Sequence, residues 1–276
     1  MVSLVSEYHA FFEGKKYSVA KALLFMGRYA KIEGPPLRVV AEEIRQFEGA
    51  EIIKVSGNSR IGKEMLKQKR IERVFPIGKN LFLQFSLFLI RIHFLMFGSY
   101  RINHDKAGVE PRLSLAFSNG LLNFYNTSIT VISSADLRRL YDEEVDIMSE
   151  KWSIEKIVGL ALRSPDEQVC DVLLDQKVFA GVGNIIKNEA LFMSKIHPLS
   201  KIGKLSKQQM TLLATSARQF SILFYETVKR QQSLRSQLSV YGKSNCPECG
   251  ERVRKKKTGK FQRISYFCEP TQQLYE

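Results

Sequence analysis

Cys246-Pro247-Glu248-Cys249, followed by Cys268, is the part of this chain whose residue types and spacing suit a metal ion. Two Cys-x-x-Cys knuckles about 15 to 20 residues apart make a zinc ribbon. Here the second knuckle reads Cys268-Glu269-Pro270-Thr271, with threonine where the fourth thiolate belongs. Two readings stay open: zinc on Cys246, Cys249 and Cys268 with an outside ligand, or a metal-free β-hairpin. A second chemistry lies at Ala180-Gly181-Val182-Gly183-Asn184, where glycines end one helix and Asn184 caps the next. The first N–H groups of a helix have no partner within it, so such an end suits an anion such as phosphate. The same spacing also serves an ordinary helix hairpin with no ligand. Upstream, Ser164-Pro165-Asp166-Glu167 supplies an N-cap, a first-turn proline and two acids, which predicts that the first helix of the pair starts there. Cys170, inside that helix, reads as core, and neither His9 nor His197 has a partner at ligand spacing.

These groups must be carried by a packed scaffold. At 276 residues and 44% hydrophobic composition, the chain has room for two domains, or one with appendages. Its net charge of +14 points to a polyanionic partner, nucleic acid before an anionic membrane surface. Four cysteines, three of them near the C-terminus, fit a reduced compartment better than a disulfide framework. The apolar run from Asn80 to Phe97 is interrupted by Gln84, Arg91 and His93, and Leu81, Leu83 and Phe85 alternate, so strands are expected there and no membrane span.

Leu37, Val40, Ala41, Ile44 and Phe47 recur at helical spacing. From Glu51 to Ile132 the pattern is mostly strand: Ile71 to Phe75 and Leu81 to Phe85 flank a turn ending at Lys79, and Asn119-Gly120 signals a type I′ hairpin. The acidic stretch Glu143 to Glu155 reads as an interdomain connection, with Trp152 closing a helix onto the core. Ser206-Lys207-Gln208-Gln209 is a capping box that opens a helix reaching about Arg230, with Leu213, Phe220, Phe224 and Val228 as its buried stripe.

In order and spacing, Leu174-Asp175-Gln176, Ala180 to Asn184, Asn188-Glu189-Ala190-Leu191-Phe192 and Ile196-His197-Pro198 resemble the helix-two-turn-helix of one repair family. That family is the formamidopyrimidine-DNA glycosylases and endonuclease VIII, which act in base-excision repair. Ile32-Glu33-Gly34-Pro35-Pro36-Leu37-Arg38 is similar to its N-terminal Pro-Glu-Gly-Pro-x-x-Arg signature. Ile90 to Gly98 resembles its His-x-x-Met-x-Gly segment, and Gln262 to Cys268 its finger tip.

The resemblance implies an α+β protein with three parts: a β-sandwich catalytic domain over 32–142 with a buried N-terminal helix, a helix-two-turn-helix domain over 151–235, and a zinc-finger or zincless-finger hairpin over 238–276. It implies a catalytic set of Ile32, Glu33 and Lys79, in which residue 32 supplies the attacking amine and Glu33 moves protons. Lys79, Asn184 and Arg263 would hold phosphates around the lesion, Met96 would wedge into the duplex, and Glu189 would support the turn. An α-amino group, with a pKa of about 7.7 to 8.0 against about 10.4 for lysine, is the better imine-forming nucleophile at neutral pH.

The sequence departs from the pattern in two places. Position 32 is isoleucine rather than proline, and because residues 1–31 precede it, its nitrogen is an amide. Removal of 1–31 would expose a primary amine; Lys31 is a weaker substitute unless burial depresses its pKa. Residues 1–31 read either as a real extension or as the product of a start chosen too far upstream, and the second is favoured because the recognisable enzyme begins directly afterwards. Where the family often carries a Pro-Arg-Arg-Phe-Gly loop, this chain has Tyr125-Asn126-Thr127-Ser128-Ile129.

The expectation is a monomeric, cytoplasmic glycosylase with AP-lyase activity, nucleoid-associated if prokaryotic, acting on double-stranded DNA with a damaged base or abasic site. The alternative is a damaged-DNA or abasic-site binder that has lost its nucleophile. A basic ribbon protein that binds RNA would leave the first two hundred residues without a purpose.

Overall fold

A computed structural model describes residues 32–276; residues 1–31, with Lys31 and His9, lie outside the described part. Helix α1 (Gly34–Ile44) has prolines in its first turn, where a missing N–H costs nothing and the fixed φ suits the helix. Leu37, Val40, Ala41 and Ile44 of α1 face a β-rich core, while Val39 belongs to a helical one. One short helix therefore joins both apolar clusters.

The β-sandwich is a single antiparallel sheet of six strands: β1 (Ile52–Ser56), β2 (Arg73–Ile77), β3 (Asn80–Gln84), β4 (Leu89–Ile102), β5 (Leu113–Phe117) and β6 (Gly120–Ile132), in the order β1-β5-β6-β4-β3-β2. The long strands β4 and β6 run through both halves, and their register breaks between Phe94 and Ser99. Phe94 then meets Tyr100 and Phe124 at ring separations of 6.5 and 6.2 Å, so the halves share one core. Tyr125 to Ile129, where the family often has a loop, is strand here.

The β5–β6 turn differs from the expectation. Phe117 pairs with Gly120, so the turn residues are Ser118 and Asn119, and positive φ falls on Gly120 (150°) rather than Asn119. The Asn103 carboxamide explains the shift. Its oxygen accepts from Leu121 N at 2.8 Å and sits 2.3 Å from where a Gly120 Cβ would be.

The helical part contains α2 (Ser134–Leu140), α3 (Ile154–Ala161), α4 (Val169–Val172), α5 (Asn184–Met193) and α6 (Lys207–Lys229). The capping box at Ser206 forms, and Leu213, Phe220, Phe224 and Val228 are buried along α6. Two expectations need correcting. No helix starts at Ser164: Glu167 N donates to Ser164 O, and Pro165 O accepts from Gly203 N, so this segment is a turn tied to the loop before α6. Trp152 precedes α3, which Ser153 caps, and lies under the Arg218 guanidinium. The C-terminal hairpin is β7 (Arg254–Thr258) with β8 (Arg263–Phe267), and β8 packs on α5. Among the described residues no helix is long and apolar enough to cross a membrane.

Candidate active site and nucleic-acid interface

Two glycines bring the start of α1 onto the turn before α5. Gly34 N–H donates to Gly181 O at 2.9 Å, and a Cβ on Gly34 would stand 2.9 Å from Gly181 Cα, too close for any side chain. Glu33 is thereby laid across the first turn of α5, its carboxylate accepting from Ile185 N at 2.8 Å and Ile186 N at 3.3 Å. Gly183 leaves the room, since a Cβ there would fall 2.3 Å from the carboxyl carbon. The helix end read as an open anion site is thus closed by the chain's own carboxylate, and its N-cap is Gly183 rather than Asn184. Burial pushes the Glu33 carboxyl above the usual range, and the Lys79 charge and the helix amides offset only part of that.

Lys79 lies in the β2–β3 turn. Buried Asp146 holds that turn by accepting from Gly78 N at 2.9 Å, and Gly78 packs on Ala180 and Gly181. Gln176 braces the opposite wall, accepting from Gly181 N at 3.1 Å and donating to Val182 O at 3.1 Å. His93 Nδ1 pairs with Lys79 O at 3.0 Å.

Asn184 is buried, with its amide nitrogen donating to Ile264 O at 3.0 Å and its Oδ1 lacking a hydrogen-bond partner. Arg263 begins β8 beside that carbonyl. Asp171 of α4 fixes the hairpin tip by accepting from Lys260 N at 2.8 Å and Phe261 N at 3.3 Å. Glu189 does not support the turn before α5. Its buried carboxylate accepts from Ser239 N, Val240 N and Tyr241 N at 2.8 to 3.1 Å, which sets Tyr241 beside the site.

Ile32, Glu33, Lys79, Asn184 and Arg263 all line one cavity of about 410 Å³, together with His93, Phe94, Tyr241 and Phe261. A second cavity of about 620 Å³ adjoins it across Lys79 and Gln176, so a groove runs between the β-rich and helical parts. Met96 is not in the lining. It stands 45% exposed between Leu95 and Phe97 where β4 leaves its register, with Phe97 at φ +65°. Asp146, Asp171, Gln176 and Tyr241 were missed by sequence reasoning. Asp146, Asp171 and Tyr241 are held by partners 50 or more residues away, which no local spacing signals, whereas Gln176 stood inside the matched motif and bonds locally, five and six residues onward, to Gly181 N and Val182 O.

In the finger, the sulfurs of Cys246, Cys249 and Cys268 lie within 4.8 Å of one another. Thr271 Oγ1 sits 3.4 Å from Cys246 Sγ, 3.6 Å from Cys249 Sγ and 3.2 Å from Cys268 Sγ, at the corner a fourth thiolate would take. Burial opposes the Cys246 thiolate, but hydrogen bonds from Thr271 and from the Cys249 and Glu248 amides hold its pKa down to about 7. The set can hold a metal ion, and three thiols with one oxygen suit zinc. Its role there would be structural, closing the knuckles under the hairpin. Cys170 is buried in α4 and outside this group. Thr271→Cys is expected to raise zinc affinity on the order of tenfold or more, about 1.4 kcal/mol per decade, in a chelator competition; unchanged affinity would remove Thr271 from the metal's surroundings.

Residues 136–236 match the family model described as the formamidopyrimidine-DNA glycosylase H2TH domain. Endonuclease 8-like 3 of Mus musculus is 39% identical over 201 residues, covering 71% of this chain and 33% of that protein. The formamidopyrimidine-DNA glycosylase of Exiguobacterium sibiricum is 29% identical over 239 residues, covering 76% of this chain and 84% of that one. The fold matches the Lactococcus lactis formamidopyrimidine-DNA glycosylase bound non-covalently to DNA containing an AP site, with a TM-score of 0.77 and 24% identity over 87% of this chain and 99% of that one. This chain spans about a third of the length of the endonuclease 8-like 3 proteins it matches.

Proposed function

The chain belongs to the formamidopyrimidine-DNA glycosylase and endonuclease VIII family, and on that premise we propose that it removes a damaged base from double-stranded DNA and then cleaves the strand as an AP lyase. The observation that carries this reading is Glu33: a carboxyl buried on the amides of α5, with a raised pKa, in one cavity with Lys79, Asn184 and Arg263. A glutamate whose burial raises its pKa keeps its proton to higher pH than an exposed one and is suited to give it to a sugar oxygen.

In the reaction, an amine attacks C1′ of the extruded nucleotide and the base departs with the bonding pair. The amine loses its proton and the sugar ring opens, with Glu33 protonating the ring oxygen, to give an imine. Loss of a C2′ proton then expels the 3′ phosphate. The attacking nitrogen is that of Ile32 once the peptide bond to Lys31 is cut. Arg263, Lys79 and the Asn184 amide hold strand phosphates and carry no sequence information themselves. Oxidised bases are the lesion class that fits this family, and Cys246, Cys249 and Cys268, with Thr271 beside them, would hold a structural zinc.

The test is binding of a duplex with an abasic-site analogue across a range of salt. Arg263→Ala and Lys79→Ala are each expected to weaken binding in every sequence context and to flatten the salt slope by about 0.9. A loss confined to one sequence context would contradict the phosphate assignment. One feature favours a second reading. With residues 1–31 attached the cavity holds an amide at Ile32, and a chain in that form binds abasic DNA without forming the imine.

A further inference from the structure

Lys187, on α5, is wholly buried, and nothing in the mechanism above uses it. Its ammonium donates to Ser265 Oγ at 2.9 Å and to Ile264 O at 3.3 Å. That same carbonyl accepts the Asn184 amide at 3.0 Å, and Arg263 is the residue before it. Asn184, Lys187 and Asn188 form one face of α5, at i, i+3 and i+4, laid against β8.

The fold does not need this charge. Ile264 O has the Asn184 and Asn188 amides as donors, Ser265 Oγ is paired with Thr258 Oγ1 at 2.6 Å, and Asn188 Oδ1 accepts from Tyr266 N at 2.8 Å. A buried ammonium is costly where folding alone is concerned, and an apolar residue of similar volume usually does as well or better.

Resting on the repair reading above, we infer that Lys187 is a positioning residue of the phosphate clamp, acting through Asn184 and Arg263. Its ammonium sits beneath the Ile264–Ser265 backbone and supplies positive charge to a phosphate gripped from above. In a dry interior that charge is poorly screened, so an arriving phosphate favours the protonated form.

The charged and titratable groups facing Lys187 are Cys170 and Asp171 from α4, Arg263 from β8 and Glu33 from the segment before α1. Burial brings its pKa down to about 8, and burial keeps the Cys170 thiol protonated. The sign follows. Phosphate raises the Lys187 pKa, so affinity is full below about 8 and falls as pH rises through that value.

The experiment measures affinity for a duplex with a stable abasic-site analogue from pH 7 to 9.5, beside thermal melting, for wild type, Lys187→Met, Lys187→Gln and Arg263→Ala. Wild-type affinity is expected to fall about tenfold across the range, the factor carried by a one-unit pKa change. Both Lys187 variants should begin about tenfold weaker, show no such fall, and melt no lower than wild type. Arg263→Ala should bind weakly yet keep part of the fall. Wild-type affinity in both Lys187 variants, or weakening that tracks a lowered melting temperature in both, would overturn the inference. Unaltered binding by Arg263→Ala would instead sink the phosphate clamp and the repair reading with it.

Discussion

In the chain beginning at Ile32, Glu33→Gln is expected to slow base excision by about 10²- to 10⁴-fold, the usual contribution of a positioned proton donor, while the protein melts no lower than the same chain with Glu33 at neutral pH. The two halves of this result have one cause. Glutamine keeps the shape and can accept one of the α5 amides, but it has no proton to give. A carboxyl whose folded pKa is raised binds its proton more tightly folded than unfolded. Its contribution to stability is therefore full at low pH and declines as pH rises from the ordinary carboxylate value through the raised one. The uncharged variant escapes that decline. Single-turnover excision by the wild type should fall as pH rises through the Glu33 pKa. Excision by Glu33→Gln at the wild-type rate would place the proton donor elsewhere.

The other large effect is all-or-none. A chain beginning at Ile32 is expected to be trapped covalently on abasic DNA by borohydride, and the chain with residues 1–31 attached is not. An amide nitrogen has no lone pair for the sugar aldehyde, whereas a terminal amine with a pKa of about 7.7 to 8.0 is roughly a tenth neutral at pH 7. Lys79 is the lysine lining the same cavity, so Lys79→Ala in the chain beginning at Ile32 is the control, and it should still be trapped. An adduct that depended on Lys79 would move the nucleophile to the β2–β3 turn. No adduct from either form would favour an abasic-site binder. Mass spectrometry of the trapped complex reads the attachment point directly.

The features legible in the sequence are those encoded over a few residues. The α1 stripe and the capping box and buried stripe of α6 are repeats or caps of local sequence, and the structure contains them, except that α1 ends at Ile44 and buried Phe47 follows in a 3-10 turn. The glycine turn before α5 was also visible, but its purpose was not. The expectation of a free helix end at Asn184 failed because the anion comes from Glu33, some 150 positions earlier in the chain. Ser164 had every local mark of a helix start, yet Pro165 and Glu167 spend their backbone groups on the loop at Ile202–Gly203. Asn119-Gly120 had the dipeptide of a type I′ turn, and the Asn103 side chain took the place that turn would have needed. Asp146, Asp171 and Glu189 escaped for the same reason: each carboxylate is matched to amides 50 or more residues away. The convergence of Lys79, Asn184 and Arg263 on one cavity rested on resemblance alone, since strand, helix and hairpin have no common period.

The near contact of Gly34 with Gly181 also decides which body the acid belongs to. Although Glu33 stands at the head of the β-rich segment, its backbone is pinned to the loop before α5 and its side chain to the first amides of α5. A hinge motion that widens the groove and spares these contacts carries the proton donor along with Asn184 and Arg263. The Lys79 turn is tied to the same loop through Gly78, so what recedes is the part of the sheet beyond that turn. Spacing between the acid and the gripped backbone is then invariant to how far the jaws part, so a duplex can load into an open form without dismantling the chemistry.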